Sequence, residues 1–155
     1  MIVVDTSALI AIALAEDDAE RCIAALLAAD QRLISAATVT EALIVAFGRD
    51  CETAMRDLLH SGRIVIEPVT ADRARAAADA YKHHGKGWHA AALNYGDSFS
   101  YALAMEHDCP LLFIGRDFAL TNVRPARARL RPNPLTWGPP AARRRRGRDA
   151  PRPTC

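Results

Sequence analysis

The chain has 155 residues, 50% of them hydrophobic, a length and apolar content that suit one compact domain with a real core. Its formal net charge of +2 hides a division: residues 1–123 carry 10 Lys/Arg against 17 Asp/Glu, whereas residues 124–155 carry 10 Arg against the single acid Asp149. An acidic globular part needs metal ions or local basic patches to meet a nucleic acid, and the scattered Cys22, Cys51, Cys109 and Cys155 argue against a zinc or disulfide framework and read as reduced cytoplasmic thiols.

In chain order, the short apolar run Met1-Ile2-Val3-Val4 ends abruptly in Asp5-Thr6-Ser7, and a helix pattern starts straight after. This reads as a buried parallel strand delivering Asp5 to the carboxyl edge of a sheet, where open α/β folds keep their ligands. Residues 8–15 are too short to span a bilayer and no basic segment precedes them, so neither a membrane span nor a signal peptide is expected. Leu9, Ile10, Ala13 and Leu14 form a first helix. Asp17 or Asp18 opens a second, with Cys22, Ile23, Leu26 and Leu27 on one face. Residues 32–35 are a strand. A third helix runs from Ala36 to about Phe47, with Val39, Leu43, Ala46 and Phe47 as its stripe, and Gly48 ends it. Ala54, Met55, Leu58 and Leu59 mark a fourth, stopped by Ser61-Gly62.

Ile64-Val65-Ile66 is a β-branched strand closed by Pro68. Thr70 caps a fifth helix whose stripe is Ala74, Ala77, Ala78 and Tyr81. A loop at Gly85-Lys86-Gly87 leads to a sixth helix over residues 98–107, with Phe99, Ala102, Leu103 and Met105 as core candidates. Residues 111–114 are the last strong strand, and Gly115 begins another turn. Strands separated by helices predict an α/β fold with a mainly parallel sheet, right-handed crossovers and helices on both faces. From about Arg124 the composition turns to Pro, Arg and Gly, so the reading is a domain of residues 1–131 followed by a disordered Pro/Arg-rich tail of residues 132–155.

Four acids fall where the sheet's carboxyl edge should be: Asp5, Glu41, Asp97 and Asp117. Each has an ordinary explanation. Asp5, Thr6 or Ser7 suits the cap of a first helix beginning near Ala8, and Asp97 that of the sixth. Thr38-Val39-Thr40-Glu41 matches a capping box, and Asp117 suits the turn containing Phe118. Glu41 fits least well, because a charge among Ala42, Leu43, Ile44 and Val45 is costly unless paired or metal-bound. Together the four suggest another chemistry. Clustered carboxylates need a counter-charge, and hard oxygen ligands select Mg²⁺ or Mn²⁺ over zinc. Such a site activates water and stabilises charge on a phosphodiester.

These same residues carry a family resemblance. Ile2-Val3-Val4-Asp5-Thr6-Ser7-Ala8-Leu9 resembles the opening of a PIN domain. Ile34-Ser35-Ala36-Ala37-Thr38 leading to Glu41 is similar to its second acidic position, and Asn94-Tyr95-Gly96-Asp97-Ser98-Phe99 to its third. Leu112-Phe113-Ile114-Gly115-Arg116-Asp117-Phe118 followed by Thr121 resembles its fourth. The match covers residues 1–125, and within the family the chain looks most like VapC-type toxins of bacterial type II toxin–antitoxin modules. The resemblance implies a PIN-like three-layer αβα sandwich and a Mg²⁺- or Mn²⁺-dependent endoribonuclease, usually a homodimer, held inactive by a cognate antitoxin. It places Asp5, Glu41, Asp97 and Asp117 as the catalytic, metal-holding acids. Thr6 or Ser7 would orient a carboxylate or an ion-bound water, and Asn94 would support the Asp97 turn. Two departures stand out: Asn122 where such chains commonly have an acid, which bears on a second metal, and Arg116 beside Asp117.

His83, His84, His89 and Trp88 read either as a small RNA-contacting patch or as a solvated loop whose Trp88 packs on the core, the latter being the expectation. Arg116 either reaches a phosphate or points to solvent. A haloacid-dehalogenase-type phosphatase also puts an Asp after its first strand, but it carries Asp-x-Asp and Ser7 stands at the second position here. A non-catalytic RNA-binding module using the basic tail is the rival from another class. Deleting residues 132–155 separates the readings in an RNA-binding and cleavage assay: binding collapses for the module, whereas cleavage persists for the nuclease.

Overall fold

The structure, a computed structural model, describes residues 1–126. Strands β1 (Ile2–Val4), β2 (Arg32–Ser35), β3 (Val65–Glu67) and β4 (Leu111–Leu112) form one parallel sheet in the order β3-β2-β1-β4. The chain winds outward from β1 to β3, then crosses back to lay β4 on the other side of β1. That reversal puts a topological switch point between β1 and β4, with a crevice at their carboxyl ends.

The short strands β1, β2 and β4 persist because both faces are covered, so their apolar residues are buried in one core or the other. Ile2 and Val4 of β1 join Ile34 and Leu112 in a core closed by α1 (Thr6–Ala13), α2 (Ala19–Ala28), α3 (Ala36–Gly48) and α4 (Glu52–Ser61). Val3, Leu33 and Leu111 face the opposite way, into a core closed by α5 (Ala71–His84) and α6 (Tyr95–Glu106). The result is the expected three-layer αβα sandwich. Arg32 stitches the first layer to the sheet: its guanidinium donates to the carbonyls of Leu26, Ala29 and Gly62, satisfying groups that the ends of α2 and α4 leave open.

Several expectations about helix faces need correction. α6 begins at Tyr95, three residues before Ser98, because Asn94 and not Asp97 is its cap. Met105 is exposed, as are Ala74 and Ala78, and α5 buries Ala77 and Ala80 instead. In α2 only Cys22 and Leu26 of the proposed stripe are buried, leaving Ile23 and Leu27 exposed. Phe47 is 76% exposed, because α3 meets its neighbours through the small residues Ala42 and Ala46. The third strand starts one residue late: Ile64 is buried, while Val65 and Ile66 are exposed on the sheet's edge strand.

The described cysteines, Cys22, Cys51 and Cys109, are buried and unpaired. No helix among the described residues is long and apolar enough to cross a membrane. The 131/132 boundary and the expected tail lie outside the described residues.

The two apolar side chains of α3 and α4 that the pattern treats alike should therefore separate in denaturant titrations. Met55→Ala, at a fully buried position, is expected to cost about 2–5 kcal/mol of stability, whereas Phe47→Ala should stay within roughly 0.5 kcal/mol of the parent.

Candidate active site

Asp5 stands at the switch point, between the last residue of β1 and the first of α1. Its extended backbone (φ −95°, ψ 158°) lets Oδ2 accept the Ser7 N–H at 3.0 Å and the Ser7 hydroxyl at 2.6 Å. Asp5 is thus a helix cap and a pocket carboxylate at once. Its other oxygen, Oδ1, is buried with no hydrogen-bond partner among the described residues. Ser7 Oγ also accepts the Ile114 N–H at 3.0 Å, tying the exit of β1 to the exit of β4.

Glu41 comes from α3 and is not part of a capping box. The helix starts earlier, at Ala36, with Ser35 Oγ accepting the Ala37 N–H at 3.3 Å. Glu41 Oε2 instead accepts the Thr6 hydroxyl at 2.6 Å, so the residue after Asp5 holds the second carboxylate. Thr38, one turn earlier on α3, is fully buried and lies 3.1 Å, hydroxyl to hydroxyl, from Ser100 of α6. That contact draws α6 against α3. Gly96 completes the fit: a Cβ there would overlap the Glu41 carboxylate.

Asp97 is the third residue of α6 and shares a reciprocal capping box with Asn94. Asn94 Oδ1 accepts the Asp97 N–H at 2.9 Å, and Asp97 Oδ2 accepts the Asn94 N–H at 2.7 Å. Asp117 opens a short 3₁₀ turn (Asp117–Leu120) after β4; Gly115, at φ +101°, bends the chain toward it in a conformation that favours glycine.

Asp5, Glu41, Asp97 and Asp117 line one pocket of about 300 Å³, together with Thr6, Ser7 and Asn94. A larger hollow of about 920 Å³ lies by α5 and α6, but its guanidinium, Arg73, is already paired with Glu67 and Glu106. The smaller one, where the four acids meet, is the candidate site. Burial raises the Glu41 carboxyl above its usual range; the Thr6 hydroxyl opposes this and the Asp5 charge adds to it. Burial likewise pushes Asp97 up to about 7, against the Asn94 N–H and with the charges of Asp5, Glu41 and Asp117.

The donor set is one of hard oxygens, which fits Mg²⁺ or Mn²⁺. As arranged, no three His, Cys, Asp or Glu side chains among the described residues close on a common ion. That spacing is compatible with an ion that keeps several waters between itself and the protein, as Mg²⁺ does. The unpartnered Asp5 Oδ1 is the position best placed for direct contact.

The sequence departures resolve differently. Asn122 is absent from the described pocket lining; its Oδ1 accepts the Tyr101 hydroxyl at 2.5 Å, in the α5–α6 layer. Arg116 is exposed and likewise outside the lining. Trp88 does not pack on the core: it is 77% exposed. Thr38, Gly96 and Ser100 were not singled out as site residues from the sequence. A signal for them exists, because Thr38 and Ser100 each stand three residues from an acid on the same helix and so share its face.

The PIN domain family profile matches residues 2–123. The chain belongs to the PIN domain family. It is 47% identical over 124 residues to VapC ribonuclease Mb0640 of Mycobacterium bovis, covering 78% of this chain and 95% of that protein. Among solved structures it resembles Mycobacterium tuberculosis VapC20, described as a sarcin-ricin loop cleaving toxin, with a TM-score of 0.68 at 20% identity over 82% of this chain and 99% of that one. A toxin–antitoxin complex from Klebsiella pneumoniae also matches, at a TM-score of 0.61 and 22% identity, covering 79% of this chain and 93% of that one.

The raised Asp97 carboxyl carries a pH signature. An unfolded aspartate titrates near pH ~4, so the folded, metal-free protein binds its proton more tightly than the unfolded chain does. The resulting stabilisation is complete below that value and is lost as pH rises through about 7. Thermal unfolding in EDTA should show a midpoint falling between about pH 4 and 7, and Asp97→Asn should flatten that slope.

Proposed function

We infer that this protein is an endoribonuclease, the toxin of a toxin–antitoxin pair, and that its cleavage depends on Mg²⁺ or Mn²⁺. The observation that carries this reading is the pocket lined by Asp5, Glu41, Asp97 and Asp117, which four separate elements supply at the switch point of a PIN-family fold. The ribonuclease names of relatives at 47% identity support it.

In the proposed mechanism Asp5, Glu41, Asp97 and Asp117 would hold the ion, and the unpartnered Asp5 Oδ1 would be available to it. When bound, Mg²⁺ or Mn²⁺ supplies a Lewis acid that makes water a better nucleophile and takes up charge developing on the phosphodiester. The chain's own part is orientation. Ser7 fixes the Asp5 carboxylate, Thr6 fixes Glu41, and Asn94 fixes Asp97 through backbone and side-chain bonds, so little reorganisation accompanies reaction. No residue is assigned as a separate general base.

RNA is the substrate, the cytoplasm the place of action, and a cognate antitoxin the inhibitor, with a homodimer as the working form. Support for a protein partner comes from Leu27 of α2 and Phe47 of α3, 75% and 76% exposed on helices that both pack on α1. Each is a large apolar side chain left in water, of the kind that a partner's surface covers.

The test is cleavage of a broad RNA pool by purified, partner-free protein with Mg²⁺ or Mn²⁺. Cleavage is expected to disappear in EDTA and to fall at least about a hundredfold in Asp5→Asn. Cleavage that survives both would remove the carboxylate–metal mechanism, and a folded protein that binds neither ion would leave the four acids as helix caps.

A further inference from the structure

The pocket presents an electrostatic problem that its four acids make worse. Glu16 joins Asp5, Glu41, Asp97 and Asp117 in its lining, against a single cation among the described lining residues, Arg49. A polyanion approaching this pocket meets these five carboxyl groups and one guanidinium. Bound metal relieves the repulsion at the cleaved phosphate, but not at the phosphates on either side of it.

Arg49 is built as a fixed stalk with a loose head. Its backbone N–H caps α3 on the Val45 and Ala46 carbonyls, and the chain then turns through Asp50 at φ +54° so that the Cys51 N–H returns to Ala46. The guanidinium, in contrast, makes one described contact, Nη1 to Glu16 Oε1 at 3.2 Å. Glu16 reaches it from the α1–α2 turn, anchored by its own N–H on the Ala11 carbonyl. The two side chains are 54% and 45% exposed, and an exposed single-bond pair of this kind holds its partners weakly. A phosphate offers the planar guanidinium two parallel bonds where Glu16 takes one. Glu41, Val45 and Arg49 also follow one another at four-residue steps along α3, which sets Arg49 about 12 Å along the helix from Glu41. The two side chains therefore enter the same pocket from different turns of α3, Arg49 on the Glu16 side.

We propose that Arg49 binds a phosphate of the RNA strand flanking the cleavage site, and that Glu16 occupies its guanidinium until RNA displaces the carboxylate. This rests on the nuclease reading above. It assigns Arg49 to substrate binding and makes Glu16 a competitor of the substrate.

The experiment measures binding of a labelled, mixed-sequence single-stranded RNA to the full-length protein carrying Asp5→Asn, in Mg²⁺ across a range of salt concentrations, beside cleavage kinetics of the unaltered site. Arg49→Ala is expected to weaken binding about tenfold and to reduce the slope of log affinity against log salt by about 0.7. Arg49→Lys should recover part of the affinity, and Glu16→Gln should tighten binding. In cleavage, Arg49→Ala should raise KM and leave kcat within about twofold. The opposite signs of Arg49→Ala and Glu16→Gln are the decisive readout. If the pair were merely a structural tie, both substitutions would move binding the same way and lower the unfolding temperature together, and the proposal would be wrong. Unchanged affinity and salt slope in Arg49→Ala would overturn it too. RNA binding without any cleavage by the unaltered protein removes the nuclease reading alone, whereas cleavage with an unchanged KM in Arg49→Ala removes the Arg49 assignment alone.

Discussion

The close approach of α3 and α6 is the contact on which the rest of this site depends. Carboxylates gathered in a partly desolvated pocket repel one another, and nothing in their own chemistry holds them together without a counter-charge. The scaffold does it instead. The buried Thr38–Ser100 hydroxyl pair joins the two helices, and Gly96 leaves the space that the Glu41 carboxylate fills. Burial in that packing is the main cause of the raised Glu41 and Asp97 carboxyls, and the neighbouring acids add to it.

Most of the polar groups in the pocket serve structure and chemistry together. Asp5 caps α1 through one oxygen and keeps the other free of protein partners. Asn94 and Asp97 start α6 with a reciprocal capping box and, in doing so, fix the direction of the Asp97 carboxylate. Capping and ligation are not alternatives here, because a carboxylate has two oxygens and a helix start consumes only one of them.

The same economy explains how an acidic domain handles a polyanion. Among the described lining residues the one cation, Arg49, sits in an exposed and easily exchanged pair, beside a lining otherwise rich in oxygen donors. On the proposal above, charge for the reaction and charge for holding the strand come from different turns of α3. The larger hollow by α5 and α6 has a guanidinium as well, but Arg73 is committed to two carboxylates and has little left to offer a ligand.

By itself the sequence determined the alternation of strands and helices, the end of β1 at Asp5, and the order of the four acids, because these are local matters of hydrophobic period, caps and spacing. It also carried the resemblance that the family match bears out. What it left undecided is what depends on contacts between distant segments. Periodicity finds the apolar face of α3 but cannot say that Ala42 and Ala46 meet the core while Phe47 stays in water. It marks Thr38 and Thr6 as hydroxyls near helix starts, yet only the packed chain makes one a clamp on Ser100 and the other the partner of Glu41. Asn122 read as a missing acid until the fold turned it toward Tyr101, and nothing in the local sequence pairs Arg49 with Glu16, which the α1–α2 turn brings to it. Local preference acts over a few residues, whereas each of these pairings joins residues 11 or more apart along the chain, and their geometry exists only once the sheet has set the helices in place.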